Sequence, residues 1–157
     1  MNSNEYSPSD VIQFGTFYLD EQLFGVDILK MREILLPQAM TQVPRAGQEM
    51  EGVINLRGQV IPVISLRQRL GITRRPFDKR TRIINMEIDG MVVGFLVDAI
   101  GHVHRYARRE INEPPVLYGG METEAITGMV ITEQGLLLVL DTSRLVSLDS
   151  LRGMLAD

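Results

Sequence analysis

The chain has 157 residues, 45% hydrophobic and 23% charged, the balance of a globular protein long enough to bury a core without a disulfide or a metal. It has no cysteine, which excludes disulfide frameworks, iron–sulfur clusters, thiolate zinc sites and cysteine nucleophiles together. The net charge of −4, from 16 basic and 20 acidic residues, lacks the basic surplus that a nucleic-acid-binding face carries.

Residues 1–10 (MNSNEYSPSD) show neither periodicity nor the basic start and apolar stretch of a signal peptide, and are expected to form a disordered tail. The longest apolar runs are strand-sized, such as Leu136 to Leu140, so no membrane insertion is expected. With the absent cysteine, this points to a cytoplasmic protein. Gln13 to Leu19 is rich in aromatic and β-branched residues and reads as a strand. Leu23 to Val26 returns as its hairpin partner across Asp20-Glu21-Gln22, whose acids are expected to be solvated. Ile28 to Leu35 (ILKMREIL) fits two helical turns with Ile28, Met31 and Leu35 on one face. Gln59 to Ile64 is a strand containing Pro62, which cannot donate to a ladder and so predicts an edge or a bulge. Leu66 to Leu70 is one helical turn closed by Gly71. The clearest hairpin runs from Ile83 to Ile88, turns at Asp89-Gly90 with type I′ chemistry, and returns from Met91 to Val97. A third hairpin joins Ile126 to Ile131 and Leu136 to Leu140. Ser143 or Ser147, and Asp149, can cap short helices toward Met154.

The two halves resemble each other. Shifted by 69 positions, LDEQLFG (Leu19 to Gly25) overlies IDGMVVG (Ile88 to Gly94). Shifted by 76, GVINLRGQVIPVIS (Gly52 to Ser65) overlies GMVITEQGLLLVLD (Gly128 to Asp141), and Ser65 meets Asp141 as an N-cap. Either short β patterns coincide by chance, or the order A, B, A′, B′ records a duplication and predicts two similar small barrels packed face to face with a fixed groove between them.

No catalytic constellation emerges. His102 and His104 share a strand face but lack an obvious third ligand, so no metal site is assigned. There is no nucleophile elbow, no His-Glu-x-x-His and no phosphate-cradling glycine loop. Glu110, Glu113, Glu122 and Glu124 surround a Pro-Pro loop and read as a solvated face. Nine methionines supply either an adaptable contact surface or filler between barrels. Arg67 to Arg82 holds seven basic residues against Asp78. It is either an anion or nucleic-acid patch or a solvated linker, and no stacking aromatics accompany it beyond Phe77.

Two apolar runs are interrupted by charge: Phe24 to Ile34 (FGVDILKMREI) and Gly52 to Val63. In the second, Asn55, Arg57 and Gly58 break two strands and place a planar multi-donor cation in the connection, either paired structurally or offered to a partner.

These segments, with Val43-Pro44, GVINLRGQVIPVISLR (Gly52 to Arg67), VVGFLVDAI (Val92 to Ile100) and ITG (Ile126 to Gly128), resemble the CheW-like coupling proteins of bacterial chemotaxis over nearly all of Gln13 to Ser147. The resemblance implies a mainly β fold: two five-stranded SH3-like β-barrels around a shared core, with short helices including one at the C-terminus. It places a single domain at 11–148, with subdomains near 11–80 and 81–148 between which exchange of strands is left open, and a helical tail at 149–157. It implies a scaffold that is not an enzyme, needs no cofactor, and joins methyl-accepting chemoreceptor tips to the histidine kinase CheA, whose C-terminal regulatory domain has the same fold. Such a protein would be cytoplasmic and recruited to membrane-associated receptor arrays. By motif position, Val26, Leu29, Glu33, Arg57 and Val97 match receptor-binding residues, while Asn55, Gly58, Pro62 and Gly128 are structural motif positions. The kinase contact is not assigned to residues. Ser65 stands where the family usually has Asp, which keeps the cap but loses the charge. Adaptors of this fold also serve pilus or gliding pathways, and a nucleic-acid-binding barrel using Arg67 to Arg82 is the rival of another class.

Overall fold

A computed structural model describes residues 10–114, 116 and 124–155; the expected tail at 1–9, Glu122 and the last two residues lie outside these. The chain opens with the hairpin β1 (Val11–Leu19) and β2 (Gln22–Asp27), continues through a 3-10 turn at Ile28–Lys30 into β3 (Met31–Leu35), and forms the hairpin β4 (Met50–Leu56) and β5 (Gln59–Ser65). The short helix α1 (Leu66–Arg69) follows, then the hairpin β6 (Arg82–Ile88) and β7 (Met91–Val97). Next come β8 (Ala99–Ile100) and β9 (His104–Ala107), the hairpin β10 (Ile126–Thr132) and β11 (Gly135–Leu140), and the helix α2 (Leu148–Leu155).

The strands form two sheets that interleave along the chain. One has the order β10-β11-β2-β1-β8, with β9 also on β1; the other has the order β3-β6-β7-β5-β4. Strands from both ends of the sequence build the first sheet, and the stretch from Met31 to Val97 builds the second, so strands cross the boundary near residue 80. Hairpin A therefore pairs with B′, and A′ with B. Each pairing is parallel and in the same repeat register: Gly25 opposite Val139 (β2–β11) and Gly94 opposite Val63 (β7–β5). Each barrel is closed by one isolated bridge, Thr41 with Val53 and Asn112 with Met129. Both B hairpins carry a bulge at the same repeat position, between Met50 and Gly52 and between Ile126 and Gly128. These matched irregularities extend the repeat beyond the sequence pattern alone.

The core follows from strands covered on both faces. In β6, Ile84, Met86 and Ile88 join the large cluster that Phe17, Phe24, Phe95 and Leu138 share between the barrels, whereas Ile83 joins Ile54, Ile61, Val63 and Leu96 inside the second barrel. Six methionines fill these cores: Met50 and Met86 are buried, Met31, Met91 and Met129 pack against the shared cluster, and Met40 against the smaller one.

The helix expected over Ile28 to Leu35 is instead a single 3-10 turn followed by a strand. Met31, Glu33 and Leu35 alternate with exposed Arg32 and Ile34, and antiparallel pairing to β6 decides for the period of two. Pro62 is not on an edge strand, because β5 lies between β4 and β7; it sits beside a bulge, the other expected setting, since the Met50–Gly52 irregularity of β4 lies one pair away. Its missing N–H is tolerated because pairing with β7 begins one residue later, at Val63. Asp89 (φ 49°) and Gly90 (φ 84°) adopt the left-handed turn expected. Ser65 caps α1 by accepting from Gln68 N–H at 3.2 Å, and its repeat mate Asp141 caps a 3-10 turn by accepting from Ser143 N–H at 3.0 Å. Ser147 caps α2, accepting from Ser150 N–H at 3.3 Å.

Candidate functional site

The β4–β5 turn displays a cation. Arg57 (φ 52°) and Gly58 (φ 84°) are its two central residues, both left-handed, so glycine at the second removes a steric penalty. Asn55 locks the turn by accepting the Gly58 N–H at 3.0 Å. The Arg57 side chain is 71% exposed and reaches across to β3, where Nη2 donates to Glu33 Oε1 at 2.6 Å. Asn55 and Gly58 thus support the turn while Arg57 projects from it.

The corner preceding β3 supplies an apolar neighbour in sequence. Asp27 accepts the Leu29 N–H at 3.0 Å, capping the 3-10 turn, and Leu29 stands 77% exposed at its middle. Arg32 Nε donates to Glu87 Oε1 at 2.8 Å. Ile34 and Leu36, which the sequence reading did not single out, are also exposed large hydrophobics along this edge, as is Val60 on β5. Exposed apolar residues beside a cation were the available signal, masked by the helical reading of the segment.

Val26 and Val97 are not on this surface. Both are fully enclosed in the cluster between the barrels, because β2 and β7 are covered on both faces. Their expected role as docking positions is corrected to core packing. Of the five positions, Leu29, Glu33 and Arg57 remain accessible. Pro62 is buried in β5, and Gly128 forms the β10 bulge, where a methyl group would meet Ile111 Cγ2 at 2.7 Å.

The basic run from Arg67 to Arg82 is largely committed within the fold. Arg67 Nη1 contacts Asp98 Oδ2 at 2.7 Å and Asp20 Oδ1 at 2.9 Å, and Arg74 reaches Glu51 at 2.7 Å. Arg75 pairs with Asp78 at 2.9 Å, Arg69 Nε donates to the Leu145 carbonyl at 2.5 Å, and Arg82 donates to the Lys79 and Thr81 carbonyls. Asp20 is therefore not simply solvated: its hydrogen bond from Arg67 holds its carboxyl below the ordinary aspartate range, against a smaller opposing effect of burial. Asp78 is lowered too, first by the Arg80 backbone N–H and further by Arg75. A run tied to acids and carbonyls presents no continuous phosphate-binding stripe.

His104 Nδ1 lies 2.8 Å from the Tyr106 hydroxyl, and no group of three metal-binding side chains occurs among the described residues. A cleft of about 490 Å³ beside α2 is lined by Met50, Ile64, Arg69 and Leu151, but the Arg69 donors are already used on the Arg144 and Leu145 carbonyls. Among the described residues no helix is long and apolar enough to cross a membrane.

Twin interleaved barrels that display an exposed charged and apolar corner suit a protein-docking scaffold. A family model described as CheW-like domain matches residues 13–150, and the chain belongs to that family. It is similar to the chemotaxis protein CheW of Treponema pallidum, 30% identical over 139 residues (86% of this chain, 82% of the relative). It is also similar to the chemotaxis protein CheW of Thermotoga maritima, 32% identical over 133 residues (83% and 85%). The crystal structure of the scaffolding protein TtCheW from Thermoanaerobacter tengcongensis superposes with a TM-score of 0.78 at 34% identity, covering 85% of this chain and 91% of that one. The chain is a non-enzymatic scaffold of chemotaxis signal transduction.

Proposed function

We propose that this scaffold joins the cytoplasmic tip of a methyl-accepting chemoreceptor to the histidine kinase CheA, and that Arg57, Glu33 and Leu29 face the receptor. The observation that carries the reading is the presentation of Arg57. Its turn is fixed by Asn55 and Gly58, its guanidinium is exposed, and a single exposed ion pair, worth about 0–1 kcal/mol, restrains it. An amphipathic helical hairpin bound here would bury Leu29 while the arginine sets its register. No pKa tuning is needed for such a contact. The fold of residues 11–148 acts as one unit in this role, cytoplasmic and recruited to the receptor array, where many modest contacts add up through multivalency.

Titration of the isotope-labelled chain with a purified receptor cytoplasmic fragment tests the assignment. Amide resonances of Leu29, Glu33, Arg57 and Gly58 should move together and saturate. Perturbations confined to another surface would reject these residues as the receptor site.

A further inference from the structure

Asn85 on β6 is 1% exposed, and neither its Oδ1 nor its Nδ2 has a hydrogen-bond partner among the described residues. It lies on the same side of β6 as Ile83, so it projects into the second barrel rather than toward the shared core. Gly94, opposite it on β7, makes the room: a methyl group there would stand 3.0 Å from Asn85 Oδ1. On its other flank β3 sets Glu33 opposite Asn85, just as Leu35 stands opposite Ile83. Opposed residues on antiparallel strands share a face, with Cβ atoms about 4.5–5.5 Å apart. An unpaired interior amide and the carboxylate that restrains Arg57 are therefore neighbours at the mouth of one barrel.

The two groups are complementary. A buried amide without a partner is destabilising, and a donor to a carboxylate is among the stronger hydrogen bonds available to it. Glu33 accepts Arg57 on Oε1, and its side chain is only 33% exposed, so removing the guanidinium would leave a half-buried carboxylate unpaired. We infer that Asn85 is the alternative partner of the Glu33 carboxylate: when a carboxylate on a docking partner draws Arg57 away, Glu33 turns inward and accepts a hydrogen bond from Asn85 Nδ2. Asn85 is then a positioning residue acting through Glu33. One unsatisfied group is paired as the other pair opens, so Arg57 is released with little net change inside the scaffold. The inference rests on the docking reading for its purpose and adds the chemistry of the partner group, an acidic side chain.

Its test needs no receptor, so its failure and the failure of the docking reading are separate events. Arg57→Ala reproduces the departure of the guanidinium. In that variant the Asn85 side-chain amide resonances should move downfield and exchange more slowly with water, and Arg57→Ala/Glu33→Ala should reverse both changes. A double-mutant cycle between Glu33→Ala and Asn85→Val, read by urea unfolding, should show a coupling of about tenfold in the unfolding constant when Arg57 is absent and little when it is present. Asn85→Val replaces the unpaired amide by an apolar group of similar shape, so it should fold. An Asn85 amide unmoved by Arg57→Ala, as expected if a resident water already serves it, overturns the inference, as does equal coupling in both backgrounds.

Discussion

Arg67 Nη1 lies 2.7 Å from Asp98 Oδ2, with the two side chains only 11% and 9% exposed. Asp98 follows the last residue of β7 and also accepts the Asp20 N–H, at 2.6 Å, from the β1–β2 turn. Arg67 on α1 thus ties an element attached to the second barrel to a turn of the first. Without Arg67 the Asp98 carboxylate keeps only the Asp20 N–H and a 3.5 Å contact to Arg75, so Arg67→Met should lower unfolding free energy by about 2 kcal/mol, measured in urea. Adding Asp98→Leu should recover part of that loss, because the poorly paired carboxylate is gone. Additive losses would contradict the pairing.

The same cluster fixes an acid dependence. The folded chain holds Asp20 and Asp78 below their ordinary value of 3.8, so their ionised forms are favoured by folding. That contribution is complete above the ordinary value and is lost as pH falls through the lowered folded values. Stability measured from pH 6 downward should therefore fall most steeply below about pH 4. Arg67→Met should flatten that fall.

Matched bulges give a graded prediction. Gly52 sits at φ +150°, and a methyl group there would meet the Thr41 backbone carbonyl at 2.7 Å, which cannot move aside without opening the barrel's closing bridge. Gly128, its repeat mate, faces the Ile111 methyl at 2.7 Å in an ordinary backbone conformation. Gly52→Ala should cost about 2 kcal/mol or more, and Gly128→Ala about 1 kcal/mol, by thermal unfolding. The reverse order would show that backbone strain at the first bulge is not what demands glycine.

Ser65 provides a capping test. Its hydroxyl is the acceptor for the Gln68 N–H at a site 3% exposed, so Ser65→Ala should destabilise by about 1 kcal/mol in urea unfolding. An unchanged midpoint would mean that α1 is held by Arg67 and Arg69 alone.

Local chemistry explains what could be read in advance. The β6–β7 hairpin was legible because Asp89-Gly90 meets a turn's dihedral demand without help from elsewhere, and the repeat was legible because Gly25, Gly94, Gly52 and Gly128 each have a neighbouring atom 2.7–3.0 Å from where a methyl group would stand. Ile28 to Leu35 was not, since Ile28, Met31 and Leu35 satisfy a helical period while Met31, Glu33 and Leu35 satisfy a strand's; only pairing with β6 decides. Val26 and Val97 were placed by motif position alone, which carries no information on burial, and β2 and β7 have no exposed residue. Arg67, Asp20 and Asp98 are far apart in sequence, and nothing in their spacing joins them. Asn85 gave no signal beyond a polar residue in an apolar run.

Docking rather than folding is the role proposed for Arg57. Receptor-dependent kinase activity should be measured in a reconstituted mixture of receptor fragment, CheA and the Arg57→Glu variant, beside the variant's thermal unfolding midpoint. Lost activation with a midpoint close to the parent's is the expected result, since the exposed pair to Glu33 contributes little to stability. Full activation, or a midpoint lowered by many degrees, would contradict it.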